Sequence, residues 1–181
     1  MKALQAVFAA LAVLVAVFFV GGMFLPAEWE DSSRLEICAD DRTVFAAMNR
    51  PDSIAEWSVL NTDELEARMD GDAGAGSRLE WRRTDRGDGN GEFTHLLEIE
   101  ESDPHSRIVY RLEQDERMLG RGVAELESVE AERTSVRITI HPQVETIGGR
   151  WVGLMSRLQR DMSRLAATEL ENIAEYLDAE C

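Results

Sequence analysis

The chain has 181 residues, enough for one domain and a terminal segment. Its formal charge is −16, from 35 acidic against 19 basic residues, and Lys2 is the sole lysine. Such a surface repels phosphate backbones and anionic lipid heads, which excludes nucleic acid as a partner and adhesion to a membrane by charge alone.

The first element is apolar. From Ala6 to Leu25 no residue is charged, and Val, Leu and Phe dominate. As a helix rising about 1.5 Å per residue, this run spans roughly 30 Å, the depth of a bilayer's hydrocarbon core. A secretory signal has a shorter apolar region, about 7–15 residues, and a small-x-small cleavage site. The candidate sites here, Val20-Gly21-Gly22 and Leu25-Pro26-Ala27, fit that pattern imperfectly. A retained transmembrane anchor (residues 1–25, crossing the membrane through 4–25) is therefore favoured over a cleaved signal or a buried core helix. Lys2 precedes the span and acids follow it, which places the N-terminus inside. A domain of residues 26–181 then lies outside; in a bacterium this is a single-pass inner-membrane protein facing the periplasm or the exterior.

Beyond Pro26 the reading in chain order is a strand, two short helices, about six strands and a long helix. Arg34 to Cys38 alternates as a half-buried strand. Asp40 and Asp41 can cap a helix over Arg42 to Asn49, which Pro51 ends, and a helical turn follows at Ser53 to Trp57. Period-two segments come next, at 64–70, 77–83, 92–100, 107–113, 121–129 and 134–141. Their inward rows read Leu65-Ala67-Met69, Leu79-Trp81, Phe93-His95-Leu97-Ile99, Ile108-Tyr110-Leu112, Gly122-Ala124-Leu126 and Val136-Ile138-Ile140. Asp70-Gly71, Asn90-Gly91, Asp103-Pro104 and the Glu-rich corner at 130–132 mark the turns. From Gly149 to Ala179 the period becomes helical, with one stripe of Trp151, Leu154, Met155, Leu158, Met162, Leu165, Leu170, Ile173 and Leu177. An antiparallel sheet with one apolar face supplies the surface this stripe needs, so the class is α+β.

Several chemistries lack support. Cys38 and Cys181 make no metal or redox motif, and both are expected to be free. His105 and His141 show no ligand spacing, and the Asp85 to Glu92 loop fails the calcium-loop register, so no metal or other cofactor is expected. Gly74-x-Gly76 lacks the third glycine of a dinucleotide loop, and no Gly-x-Ser-x-Gly is present.

The N-terminal span ending Phe24-Leu25-Pro26, the Val44-Phe45 helix, Glu56-Trp57-Ser58, Gly74-Ala75-Gly76-Ser77 with Trp81, a Gly-rich turn before the fourth strand, Asp103-Pro104 and the long last helix carry a resemblance. Together they resemble the START-like (SRPBCC) superfamily, and within it the membrane-anchored bacterial proteins of the polyketide cyclase/dehydrase-like group. The resemblance implies a helix-grip fold, an antiparallel sheet wrapped around the C-terminal helix with a hydrophobic cavity between them. It implies binding of lipids, sterols, polyketides or other apolar molecules, with catalysis in a minority and no shared catalytic set.

Within that frame, small Gly122 and Ala124 on the row facing the helix leave volume. Trp57, Trp81, Tyr110, Leu126, Ile138, Trp151, Met155 and Met162 are positioned to line it, as apolar walls with few polar groups suit a ligand pocket. His95 shares the inward parity and could orient a ligand oxygen, with Tyr110 as its expected hydrogen-bond partner. The function read from the sequence is a membrane-anchored binding protein for a hydrophobic small molecule or lipid. The alternative is a cyclase/dehydratase-type enzyme with His95 as acid/base, disfavoured because no second acid/base group with a clear role accompanies it.

Overall fold

The computed structural model describes residues 2–25, 30–83, 93–143, 148–151 and 161–181, without the side chains of 2–4, 6, 7, 9, 31 and 161–163. A first helix, α1 (Lys2–Phe24), precedes β1 (Asp31–Ile37), α2 (Asp41–Met48) and α3 (Pro51–Trp57). Then come β2 (Glu66–Asp70), β3 (Arg78–Arg83), β4 (Phe93–Asp103), β5 (Arg107–Gln114), β6 (Arg117–Glu130) and β7 (Arg133–Pro142). Residues 148–151 are helical, and α4 (Asp161–Tyr176) ends the chain. The expected Asn90-Gly91 hairpin turn and residues 152–160 of the long helix lie outside the described residues.

Seven strands form one antiparallel sheet in the order β1-β7-β6-β5-β4-β3-β2. The cross-strand register confirms the alternation read from the sequence. Ile99, Tyr110, Gly122 and Ile140 form one row; Ile108, Ala124 and Ile138 form the next; Leu126, Val136 and Leu35 form a third. All point to the face that α2, α3 and α4 cover, and this face with those helices makes the core. An α+β fold with an antiparallel sheet gripping a C-terminal helix is thus present.

Local chemistry explains the short helices. Asp40 caps α2, its Oδ1 accepting from the Arg42 and Thr43 amides at 3.0 Å. Those bonds hold its carboxyl below the ordinary carboxylate range. Pro51 does more than stop α2: it sits in the first turn of α3, where its missing N–H costs nothing, so α3 starts two residues earlier than expected.

Three expectations need correction. Along β2, Ala67 and Met69 do share the inward face by register with Trp81 and Leu79, yet Met69 is 53% exposed, because β2 is an edge strand of the sheet. In α4, Leu165 is 43% exposed; the buried stripe is Ala166, Leu170, Ile173 and Ala174, with Leu177 beside it. The two cysteines are not free: Cys38 and Cys181 form a disulfide. The last helix ends at Tyr176 in a Schellman-type cap, with Asp178 at φ 51°, the Ala179 amide donating to Ala174 O and the Asp178 amide to Glu175 O. The cap turns the tail back so that Cys38 N donates to Ala179 O at 2.9 Å, which brings the two sulfurs together.

No described residue of α1 belongs to the core cluster, which is drawn from residues between Ile37 and Ala179. Counting only residues described with their side chains, no helix is long and apolar enough to cross a membrane.

Candidate functional site

The inner face of the sheet is not covered evenly. At one end Ile37, Ile99, Ile108, Ala124 and Val136 are fully buried under the helices. Toward the other end of the same face, Phe93, His95, Leu97, Leu112 and Ile140 remain partly exposed to solvent. β4 shows the gradient in one strand: Phe93, His95 and Leu97 are half-buried, and Ile99 is closed off. Burying these apolar groups fully would favour the fold by about 25 cal/mol per Å². A half-covered apolar row on an otherwise closed face is therefore the natural seat for an apolar ligand.

The predicted lining residues divide between the two ends. Trp57 is buried with its indole Nε1 donating to Ala47 O at 3.0 Å, joining α3 to α2 in the closed half. Tyr110 is also structural: its hydroxyl donates to Met48 O at 2.7 Å. This overturns the expected Tyr110–His95 bond, since the register sets Tyr110 opposite Ile99 while His95 lies opposite Gln114. The ring of Tyr110 also takes up the room beside Gly122, where an added Cβ would come 3.5 Å from Tyr110 Cδ2. Leu126 and Ile138 are buried in the closed half.

Trp81 and His95 stand opposite each other in the open half. Trp81 is only 2% exposed, yet among the described residues its Nε1 has no hydrogen-bond partner. His95 packs edge-on against Phe93 at 5.0 Å between ring centroids. Burial lowers the imidazole pKa, opposed by the charge of Asp115, so His95 is neutral at physiological pH. Trp151 lies elsewhere: its ring stacks on Phe18 of α1 at 5.9 Å and its Nε1 donates to Phe18 O at 2.9 Å. Gly21 permits that approach, as a Cβ there would fall 3.0 Å from Trp151 Cζ2. Arg150 adds a bond to Leu25 O at 3.2 Å, a cation at a helix C-terminus. Met155 and the side chain of Met162 lie outside the described residues.

Two polar residues escaped the sequence reading. Gln114 ends β5 directly beside His95 on the inner face. Glu169 projects from α4 toward α3, where its carboxylate accepts from the Val59 amide at 3.2 Å and from Ser58 Oγ at 3.4 Å. Burial pushes this carboxyl up to about 7, outweighing the two bonds. Its position three residues after Ala166 and four before Ile173, on the buried face of the helix, was the available signal.

Comparison with known proteins agrees with this architecture. No curated protein sequence matches the chain. Among solved structures it is similar to TTHA0849 from Thermus thermophilus, at 21% identity and a TM-score of 0.58, covering 82% of this chain and 96% of that one. It is similar to Mll3558 from Rhizobium loti at 19% identity and a TM-score of 0.56, covering 82% and 96%. The Aha1 dimer from Colwellia psychrerythraea matches at 17% identity and 0.54, covering 81% and 94%. These likenesses are of fold. Residues 39–177 match the family described as Activator of Hsp90 ATPase homolog 1-like protein, and the chain belongs to that family, within the START-like superfamily that its sequence resembles.

Proposed function

We propose that the protein is a membrane-anchored binding protein that holds an apolar small molecule or lipid on the open half of its inner sheet face. The observation that carries this reading is the uneven cover: Phe93, Leu97, Leu112 and Ile140 stay partly exposed on the face that elsewhere is sealed. A soluble domain gains nothing from leaving such a row uncovered unless another molecule covers it.

The anchor reading rests on the uncharged run of 6–25 and on how α1 meets the domain. β1 begins with Asp31 opposite Ile140, and β7 ends at Pro142 opposite Gly120. Both lie toward the open end of the inner face, and α1, which leads into β1, is met by 148–151 through the Trp151–Phe18 contact. The tether therefore holds the open half next to the bilayer, where apolar molecules are concentrated. Trp151 and Arg150, beside the last turns of α1, are residue types that suit the membrane–water boundary. The Cys38–Cys181 bond fits an oxidising compartment outside the cytoplasm.

Two measurements test the proposal. Residues 30–181 are expected to take up the hydrocarbon dye diphenylhexatriene with saturable fluorescence and to release it to an excess of an unlabelled apolar competitor. A protein that shows no saturable uptake, and carries no apolar molecule in native mass spectrometry, refutes the binding reading. A phosphatase reporter fused after Cys181 is expected to be active, because the enzyme needs an oxidising compartment; activity confined to cytoplasmic reporters would refute the orientation.

A further inference from the structure

The open half contains a polar row that the fold does not use. Trp81, His95 and Gln114 lie side by side across β3, β4 and β5, each the register partner of the next. Alternation puts all three side chains on the inner face, one step beyond Leu79, Leu97 and Leu112. Neighbours in such a row have Cβ atoms about 4.5–5.5 Å apart, close enough for one small group to touch two of them. Among the described residues, Trp81 Nε1 is fully buried without an acceptor, and neither His95 nor Gln114 has a side-chain hydrogen bond. Buried donors without partners are rare, because leaving one unmatched forfeits its hydration with nothing in return. An acceptor that arrives with the ligand accounts for this one.

The chemistry of the row defines that acceptor. An indole only donates, a neutral imidazole has one N–H, and a carboxamide has two. Trp81, His95 and Gln114 are themselves uncharged; Arg83, the next inward position, is balanced by Glu64 at 3.8 Å and lies over the Phe93 ring at 4.4 Å, and Arg117, the register partner of Gln114, is exposed to solvent at the start of β6. An anionic oxygen would leave water for three uncharged side chains, one of which, His95, already feels the negative charge of Asp115, at a high desolvation cost. An uncharged carbonyl oxygen suits it: two lone pairs, met by Trp81 and by His95 or Gln114. Resting on the binding function proposed above, we propose that Trp81, His95 and Gln114 form the recognition site for a carbonyl group, as in a ketone or ester, on an otherwise apolar ligand.

A matched pair of dyes tests this on residues 30–181: propionyl-dimethylaminonaphthalene, a ketone, and its propyl analogue, in which a methylene replaces the carbonyl. The wild-type protein is expected to bind the ketone about tenfold more tightly, the range for one or two buried hydrogen bonds. Trp81→Phe and His95→Phe are each expected to cut that preference to about threefold or less while leaving propyl-dye affinity within twofold. His95→Gln, which keeps a donor, should retain the preference. If Trp81→Phe fails to fold, half-buried His95 carries the test by itself.

A propyl dye bound as tightly as the ketone overturns the inference and leaves the binding function standing. Equal loss of both dyes in the variants also overturns it, reducing the row to shape. A carboxylate-bearing naphthalene bound more tightly than the ketone overturns the uncharged class. If the wild type binds neither dye, the inference falls together with the binding function.

Discussion

Replacing Cys38 and Cys181 together by serine is expected to lower the unfolding free energy by about 2–5 kcal/mol, seen as a lower urea midpoint at an unchanged slope. The two residues are 143 apart in the chain. Cross-linking so long a loop removes much of the unfolded chain's freedom, and the chain-entropy estimate for a loop of this size is about 5 kcal/mol. The folded state loses little in return, because the tail is also held by the Cys38 amide on Ala179 O and by the Asp178 cap. Dithiothreitol should have the same effect on the wild type and none on the double variant. Midpoints that agree with and without reductant would show that the bond is not formed in solution.

Glu169→Gln should raise stability above pH 7 by about 1–3 kcal/mol and flatten the dependence below it. The native carboxyl holds its proton up to about pH 7, and the unfolded one releases it near 4.5. Between those values the native state binds more protons, so stability is greatest below pH 4.5, falls as pH rises to 7, and then levels off. A shift of that size corresponds to about 3 kcal/mol at 1.36 kcal/mol per unit, reduced where the amide replaces one acceptor with a donor toward Val59 or Ser58. His95 contributes the opposite slope below pH 6.5, because burial lowers its pKa. The difference between wild type and Glu169→Gln, measured by urea melts from pH 4 to 9, isolates the carboxyl. Parallel curves across that range would show that Glu169 titrates as an ordinary exposed acid.

The sheet was legible because its strands are half-buried, and a period of two encodes that directly. Leu79-Trp81, Ile108-Tyr110 and Val136-Ile138 turned inward as their alternation required. What alternation could not show was how far the helices reach over each strand. Met69 and Leu165 are apolar and correctly phased for burial, yet both face solvent. The turn between β5 and β6 was missed for another reason: Asp115 and Glu116 both adopt positive φ, at 49° and 63°, with no glycine to mark it. Gln114, just before that turn, was consequently read as lying past the strand's end. The disulfide depended on the Asp178 cap, a backbone detail that cysteine spacing does not carry. In the candidate site, Trp81 and His95 were placed from parity alone; that Trp81 Nε1 lacks an acceptor could only come from the packed structure.

The covalent link between Cys38 and Cys181 also sets a path for mechanical load. A pull applied between α1 and the C-terminus runs along Asp31 to Cys38, crosses the sulfur bridge and leaves through Cys181. Only β1, at one margin of the sheet, bears tension. The residues enclosed by the bridge, including β3, β4 and β5, are bypassed, so traction between these two points would load β1 against its neighbour β7 and leave β3, β4 and β5 at rest.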